Sequence, residues 1–224
     1  MIICTCFLTG CWNYKEVEQL AIVAGVAIDK NGEDKVLITT EIVSVQQEQK
    51  QSILKPEYIQ AVGYTFFDAA RAMIGVQGKR IYWSHAKVVI ISEAIAKKGI
   101  SRVLDFIDRD AEVREDIWVL LSREESAREI FNSKPVFENL ASFEIDDTMR
   151  AQKSISRYPS IELYEFLDNI ASKETSATIP TIKLIENMGV TVSYITGSAI
   201  IREISFWGTW VKLIQRACYG YRIS

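Results

Sequence analysis

The sequence predicts an α+β fold: a mixed, largely antiparallel β-sheet packed with several α-helices. Three observations predict it. Strand-like and helix-like stretches alternate along the chain. Asn31-Gly32, a pair that tolerates positive φ, joins two runs rich in β-branched residues, so part of the sheet must be an antiparallel hairpin. No Gly-rich nucleotide loop and no internal repeat interrupts the alternation.

Each element has its own local signal. Asn13 with Glu16 fits a capping box and predicts a short helix over Lys15 to Leu20. Ala21 to Asp29 is rich in Val, Ile and Ala and reads as a strand; Lys35 to Val45 alternates and reads as its return. Gln46 to Lys55 is polar and glutamine-rich, which predicts an exposed loop. Thr65 with Asp68 marks a helix start. Phe66, Phe67, Ala70 and Ile74 then recur at helical spacing, until Gly75 or Gly78 ends the run.

Arg80 to Ser84 reads as a short strand, and Ala86 to Ser92 as a strand buried on both faces. Ser92 is expected to cap a brief helix stopping near Gly99, and Ser101 to Arg109 to form another. Ile117 to Leu121 is strand-like. Ser122 with Glu125 predicts a capping box that opens a helix toward Phe131. Val136 to about Lys153 and Ile161 to about Ser172 read as helices, and Thr178 to Leu184 and Val190 to Ile201 as strands.

Composition narrows the function classes. The chain has 224 residues, 48% hydrophobic and 25% charged, an ordinary globular balance that allows one large domain or two small ones. A formal net charge of -3 gives no reason to expect nucleic acid, because counterion release requires clustered Lys and Arg. No apolar run reaches the roughly 18 to 20 residues of a spanning helix. A sole histidine, His85, and four cysteines, Cys4, Cys6, Cys11 and Cys218, leave too few ligands for a His/Cys metal site or a Ser-His-Asp triad. An all-carboxylate site stays open. No cofactor is expected.

The N-terminus carries the sharpest motif. Met1 to Leu8 is apolar and uncharged, like the core of a secretory signal. Leu8-Thr9-Gly10-Cys11 then fits a lipoprotein processing box: an aliphatic residue, two small residues and a cysteine. The small side chains admit a peptidase, and the Cys11 thiol is the nucleophile that takes a diacylglyceryl group. Each buried CH2 of the acyl chains contributes about 0.8 kcal/mol, so two chains anchor stably. The bland alternative is a short buried strand containing cysteines, which the processing box disfavours. No Lys or Arg precedes the apolar run, so the start codon is expected upstream.

Three further constellations carry titratable groups. His85, in Tyr82-Trp83-Ser84-His85-Ala86-Lys87, is either a ligand contact or general base, or a hydrogen-bonded structural histidine between two strands. No nucleophile or carboxylate stands at short spacing, which favours the structural role. Asp105-Phe106-Ile107-Asp108-Arg109-Asp110-Ala111-Glu112-Val113-Arg114 lacks the alternating donors and glycine of a calcium loop, and reads as an ion-paired loop after a helix. Glu144, Asp146 and Asp147 are close in sequence, but Asp146 and Asp147 are adjacent and point apart on a helix, so they do not make a catalytic carboxylate pair.

An ordered set of stretches resembles the Ger(x)C family, the lipoprotein C subunits of spore germinant receptors. The first is Gly10-Cys11-Trp12-Asn13 with Glu16-Val17-Glu18-Gln19-Leu20-Ala21-Ile22-Val23, leading to Gly25-Val26-Ala27-Ile28-Asp29. Gly63-Tyr64-Thr65 with Asp68-Ala69-Ala70-Arg71 follows, then Lys79 to Val88 around Tyr82-Trp83-Ser84-His85. Leu104 to Asp110 with Glu112 and Arg114, and Gly197-Ser198-Ala199-Ile200, complete the set. Each piece is weak alone; their order is specific, from about residue 8 to 201.

The resemblance implies a non-enzymatic subunit on the outer face of the inner spore membrane. It implies lipid on Cys11 and integral membrane A and B subunits as partners in nutrient-triggered germination. It implies a fold of three α/β domains, of which this chain carries the first. Residues 1-10 are then a signal remnant and 11-201 the N-terminal domain. Residues 202-224 depart from the family pattern and are expected to be an aberrant tail, a frameshifted start of the next domain in a truncated copy. The competing readings are a solute-binding membrane-anchored lipoprotein, for which the chain is short, and a tethered enzyme, which the missing nucleophile-base set disfavours.

Overall fold

The computed structural model describes residues 20–48, 51–100, 114, 116–155, 158–171, 176–204 and 208–214. Within them the chain forms a nine-stranded mixed sheet. Its strands are β1 (Leu20–Asn31), β2 (Lys35–Glu48), β3 (Gln51–Gly63), β4 (Arg80–Tyr82), β5 (Val88–Ile91), β6 (Trp118–Ser122), β7 (Ala177–Asn187), β8 (Val190–Ile204) and β9 (Gly208–Ile214). The order across the sheet is β3-β2-β1-β5-β6-β7-β8-β9, with β4 also paired to β1. The inner pairings β1-β4, β1-β5, β5-β6 and β6-β7 are parallel. The outer ones are antiparallel and much longer, so the expected α+β, largely antiparallel class holds.

The parallel centre reads as its sequence demands. Val88 to Ile91 and Trp118 to Ser122 are buried at every position, as strands covered on both faces must be. Helices α1 (Phe66–Gln77), α2 (Glu93–Gly99) and α4 (Leu163–Ala171) supply Phe66, Met73, Ile95 and Phe166 to the core on one face. A 3-10 helix (Ala127–Asn132) and α3 (Ala141–Ile155) cover the other with Ile130, Phe131, Ile145 and Met149. The result is three layers, helix on sheet on helix.

One glycine sets how closely α3 approaches. A Cβ on Gly25 would stand 2.0 Å from Ser142 Oγ and 2.9 Å from Val88 Cγ2. Bare backbone at that point of β1 lets the first turn of α3 seat directly on the sheet.

The outer hairpins lean over the α3 face. The Tyr58 hydroxyl of β3 lies 3.1 Å from Phe131 O, and Lys134 N–H donates to Thr191 O of β8 at 2.8 Å. In a flat sheet the six strand steps from β3 to β8 would cover about 29 Å. The three residue steps from Phe131 to Lys134 span at most about 11 Å. The sheet therefore curls, and the 3-10 helix ties its two arms together.

Several local expectations are corrected. Gln46 to Lys55 is not a loop: β2 runs to Glu48 and β3 begins at Gln51, in continuous antiparallel register from Glu48↔Gln51 to Val36↔Gly63. Its polar side chains belong to the half-exposed end of a long hairpin. The capping box sits four residues later than Ser122 with Glu125. Ser126 accepts at one end and Glu129 Oε1 receives Ser126 N–H at 3.1 Å, while the Ser122 hydroxyl instead accepts Glu124 N–H. The helix expected from Val136 starts at Ala141, because Glu144 holds the preceding backbone in an open loop. Ser92 stands at the N-cap of α2, but its buried hydroxyl makes no capping bond.

Other signals are realised as read. Thr65 caps α1, its hydroxyl accepting Asp68 N–H at 3.1 Å, and Gly78 closes it in the left-handed region at φ 66°. The helices expected at Lys15 to Leu20 and Ser101 to Arg109 lie outside the described residues, apart from Leu20, which opens β1. After Arg202, β8 continues to Ile204 and β9 pairs with it from Gly208 to Ile214.

Candidate functional site

Buried acids on the α3 face are the chemically distinctive feature. Glu41, on β2, is fully buried. Its carboxylate accepts Ala141 N–H at 3.1 Å and Ser142 N–H at 2.8 Å, so it caps the first turn of α3 from the sheet. The Tyr58 hydroxyl lies 3.3 Å from the same carboxylate and shares its single proton between Glu41 and Phe131 O. Burial pushes the Glu41 carboxyl above its ordinary range, against the hydrogen bonds from Ser142, Ala141 and Tyr58. Burial, and then the neighbouring Glu41, push the Tyr58 phenol up as well.

Asp29, 4% exposed, does the same at the end of β1. Its oxygens accept Ala127 N–H at 2.6 Å and Arg128 N–H at 3.1 Å, capping the 3-10 helix. Asp146 accepts the Trp118 indole N–H at 2.7 Å and a bidentate Arg150 at 3.0 and 3.3 Å, with Lys87 Nζ at 3.8 Å. Glu144 gathers three successive backbone donors, from Val136, Phe137 and Glu138, at 2.7, 3.0 and 3.3 Å. Every one of these carboxylates is engaged in fixing an element to its neighbour.

Cys11 lies outside the described residues. His85 stands between two strands as expected, exposed in the turn from β4 to β5 with its ring 5.8 Å from that of Tyr82; among the described residues no side-chain hydrogen bond holds it. Of the charge-dense stretch only Arg114 is described. It makes a bidentate pair with Asp116, both contacts 2.7 Å, which holds the Asp116 carboxyl below the ordinary range. Asp146 is buried and Asp147 exposed, pointing apart as adjacent helical residues must. Among the described residues no three His, Cys, Asp or Glu side chains group to hold a metal, and no helix is long and apolar enough to cross a membrane.

Sequence reasoning missed Glu41 and Asp29, although the signal was present. β2 carries apolar residues in both alternating phases, Val36-Ile38-Ile42 and Leu37-Val43, so it is covered on both faces. A glutamate inside such a strand must be buried and must therefore find donors.

Fold and chemistry together define a three-layer scaffold domain whose buried acids lock helices onto a curled mixed sheet. The family model described as the spore germination protein N-terminal domain matches residues 13–184, and the chain belongs to that family.

Its relatives carry the same theme. Spore germination protein KC of Bacillus subtilis (strain 168) is 23% identical over 83% of this chain and 48% of its own length. Spore germination protein B3 of the same organism is 28% identical over 54% of this chain and 33% of its own, and spore germination protein A3 is 22% identical over 78% and 48%. The chain thus spans between a third and about half of the length of these relatives. No solved structure matches it significantly.

Proposed function

We propose that the chain acts as a lipid-anchored C subunit of a spore germinant receptor. It is held to the outer face of the inner spore membrane by acyl chains on Cys11 and works through protein contacts with integral membrane A and B subunits. The observation that carries this reading is positional. The family match opens at Asn13, two residues after the Leu8-Thr9-Gly10-Cys11 processing box. A soluble domain that begins just past an acylated cysteine needs no spanning helix to stay at the membrane.

The engaged acids support a non-enzymatic role. Glu41, Asp29, Asp146 and Glu144 are committed to backbone and side-chain donors, and the exposed His85 ring lies beside that of Tyr82. A general base must be within reach of a proton on a substrate, and these carboxylates spend their lone pairs on the fold.

The test is fractionation of germination-competent spores carrying the tagged full chain. The chain is expected in the inner membrane fraction, co-purifying with the A and B subunits after mild detergent. Cys11→Ala is expected to move it to the soluble fraction. A wild-type chain that is soluble, or a membrane-bound one that never brings down either subunit, contradicts the reading.

A further inference from the structure

We propose that the outer edge of β3, at Tyr58, Gln60 and Val62, is an interface between two copies of this chain, joined by antiparallel β3-β3 pairing about a two-fold axis at Gln60. The proposal does not depend on a lipid anchor at Cys11.

Strand β3 ends the sheet order, so among the described residues one side of it has no strand neighbour. Pro56 tells which residues face that side. The β2-β3 register runs unbroken through Val43↔Pro56, and a proline keeps its place in such a ladder where its missing N–H points outward. Peptide groups alternate in direction along an antiparallel strand. Tyr58, Gln60 and Val62 therefore turn their N–H and C=O groups to the open side. Ile59 faces β2 instead, and its carbonyl accepts from Thr40 Oγ1 at 3.4 Å.

The open run is bounded at both ends. Pro56 has no donor, and the Tyr64 N–H is taken by Asp68 Oδ2 at 3.0 Å. Tyr58, Gln60 and Val62 remain, with Gln60 at the centre, and one register uses all of their donors. A two-fold axis at Gln60 sets Tyr58 opposite Val62 of the second copy, and Gln60 opposite its own equivalent. Each pair exchanges both of its N–H···O bonds. Moving the axis to Tyr58 would bring Pro56 opposite Gln60, and moving it to Val62 would bring the occupied Tyr64 there.

The side chains suit the same register. Tyr58 and Val62 are 48% and 39% exposed, and Gln60 is exposed between them on the same face. The aromatic ring then meets a β-branched side chain across the interface, a favourable cross-strand pair. No charged residue occurs from Tyr58 to Thr65, so no like charges are opposed. Edge strands are commonly guarded by charge or proline; β3 carries Lys55, Pro56 and Glu57 just before this run and leaves the run itself open. The axis is perpendicular to the sheet, so both copies turn the same face to one side.

The experiment is sedimentation equilibrium of the full, unacylated chain over a range of concentrations, with circular dichroism of each variant. A reversible dimer is expected. Gln60→Pro, at an outward position like that of Pro56, removes the central pair and is expected to weaken dimerisation about fivefold or more. Gln60→Lys and Gln60→Glu each place like charges directly opposite one another and are each expected to weaken the dimer. An equal mixture of these two is expected to form a heterodimer tighter than either variant alone, a rescue that a folding defect would not give. Met188→Lys, in the exposed turn between β7 and β8, is expected to dimerise like wild type. A chain that stays monomeric at every concentration, a dimer indifferent to Gln60→Pro, or a mixture no tighter than its components overturns the proposal.

Discussion

At the scale of single residues, Glu41 is the position where burial and charge conflict most openly. Its carboxyl is raised above the ordinary value of 4.5, chiefly by burial. A carboxyl with a raised folded value contributes its full stability below the unfolded value, and loses that contribution as pH rises through the folded one. Wild-type stability should therefore carry a downward step above pH 4.5 from this group, which Glu41→Gln removes while keeping one acceptor oxygen for one of the two N–H groups, Ala141 or Ser142. Thermal melts across the acid-to-neutral range should show the variant gaining on wild type as pH rises. A variant that instead loses ground as pH rises would show that the ionised cap is worth more than its desolvation costs. Gly25 gives a steric counterpart. Gly25→Ala places a Cβ 2.0 Å from Ser142 Oγ, and overpacking of this kind costs about 1–3 kcal/mol. Chemical denaturation measures it, and an unchanged midpoint would mean that α3 does not seat on β1 as described.

Elements show where local signals suffice and where they do not. The α1 boundaries were legible because both caps are local chemistry: a threonine hydroxyl on Asp68 N–H and a left-handed glycine. Thr65→Ala should cost about 1 kcal/mol, a fall in Tm of about 2–4 °C for a domain of this size. A melt that does not shift would remove Thr65 from the cap. The β3 strand was illegible because its pairing is set by β2 across a hairpin, and a glutamine-rich edge lacks the alternation of a strand buried on one face. The start of α3 was illegible for a tertiary reason too. Val136 fits a helical apolar pattern, yet Glu144 takes its N–H and those of Phe137 and Glu138, leaving Phe137 93% exposed. Glu144→Ala should release that loop. Chymotrypsin is then expected to cut after Phe137 faster than in wild type, and an unchanged rate would mean that the loop is held by something other than this carboxylate.

The molecule as a whole is a curled mixed sheet with a layer on each face, and its class was readable from the Asn31-Gly32 turn and the two fully apolar strands. The strand order was not, because parallel neighbours are joined through helices and leave no mark at the turn. The partners of the buried acids were also out of reach until the layers were known, since Glu41 and Asp29 find their donors about 100 residues away in sequence. Family membership places this scaffold among spore germination proteins, and the lipid proposed on Cys11 would link it to a membrane. That link is the central claim, and mass spectrometry of the protein from spore membranes tests it most directly. Trypsin should release Cys11-Trp12-Asn13-Tyr14-Lys15 as the N-terminal peptide, with a diacylglyceryl thioether on Cys11. An unmodified Cys11 inside a peptide that continues back through Gly10 and Thr9 would contradict it.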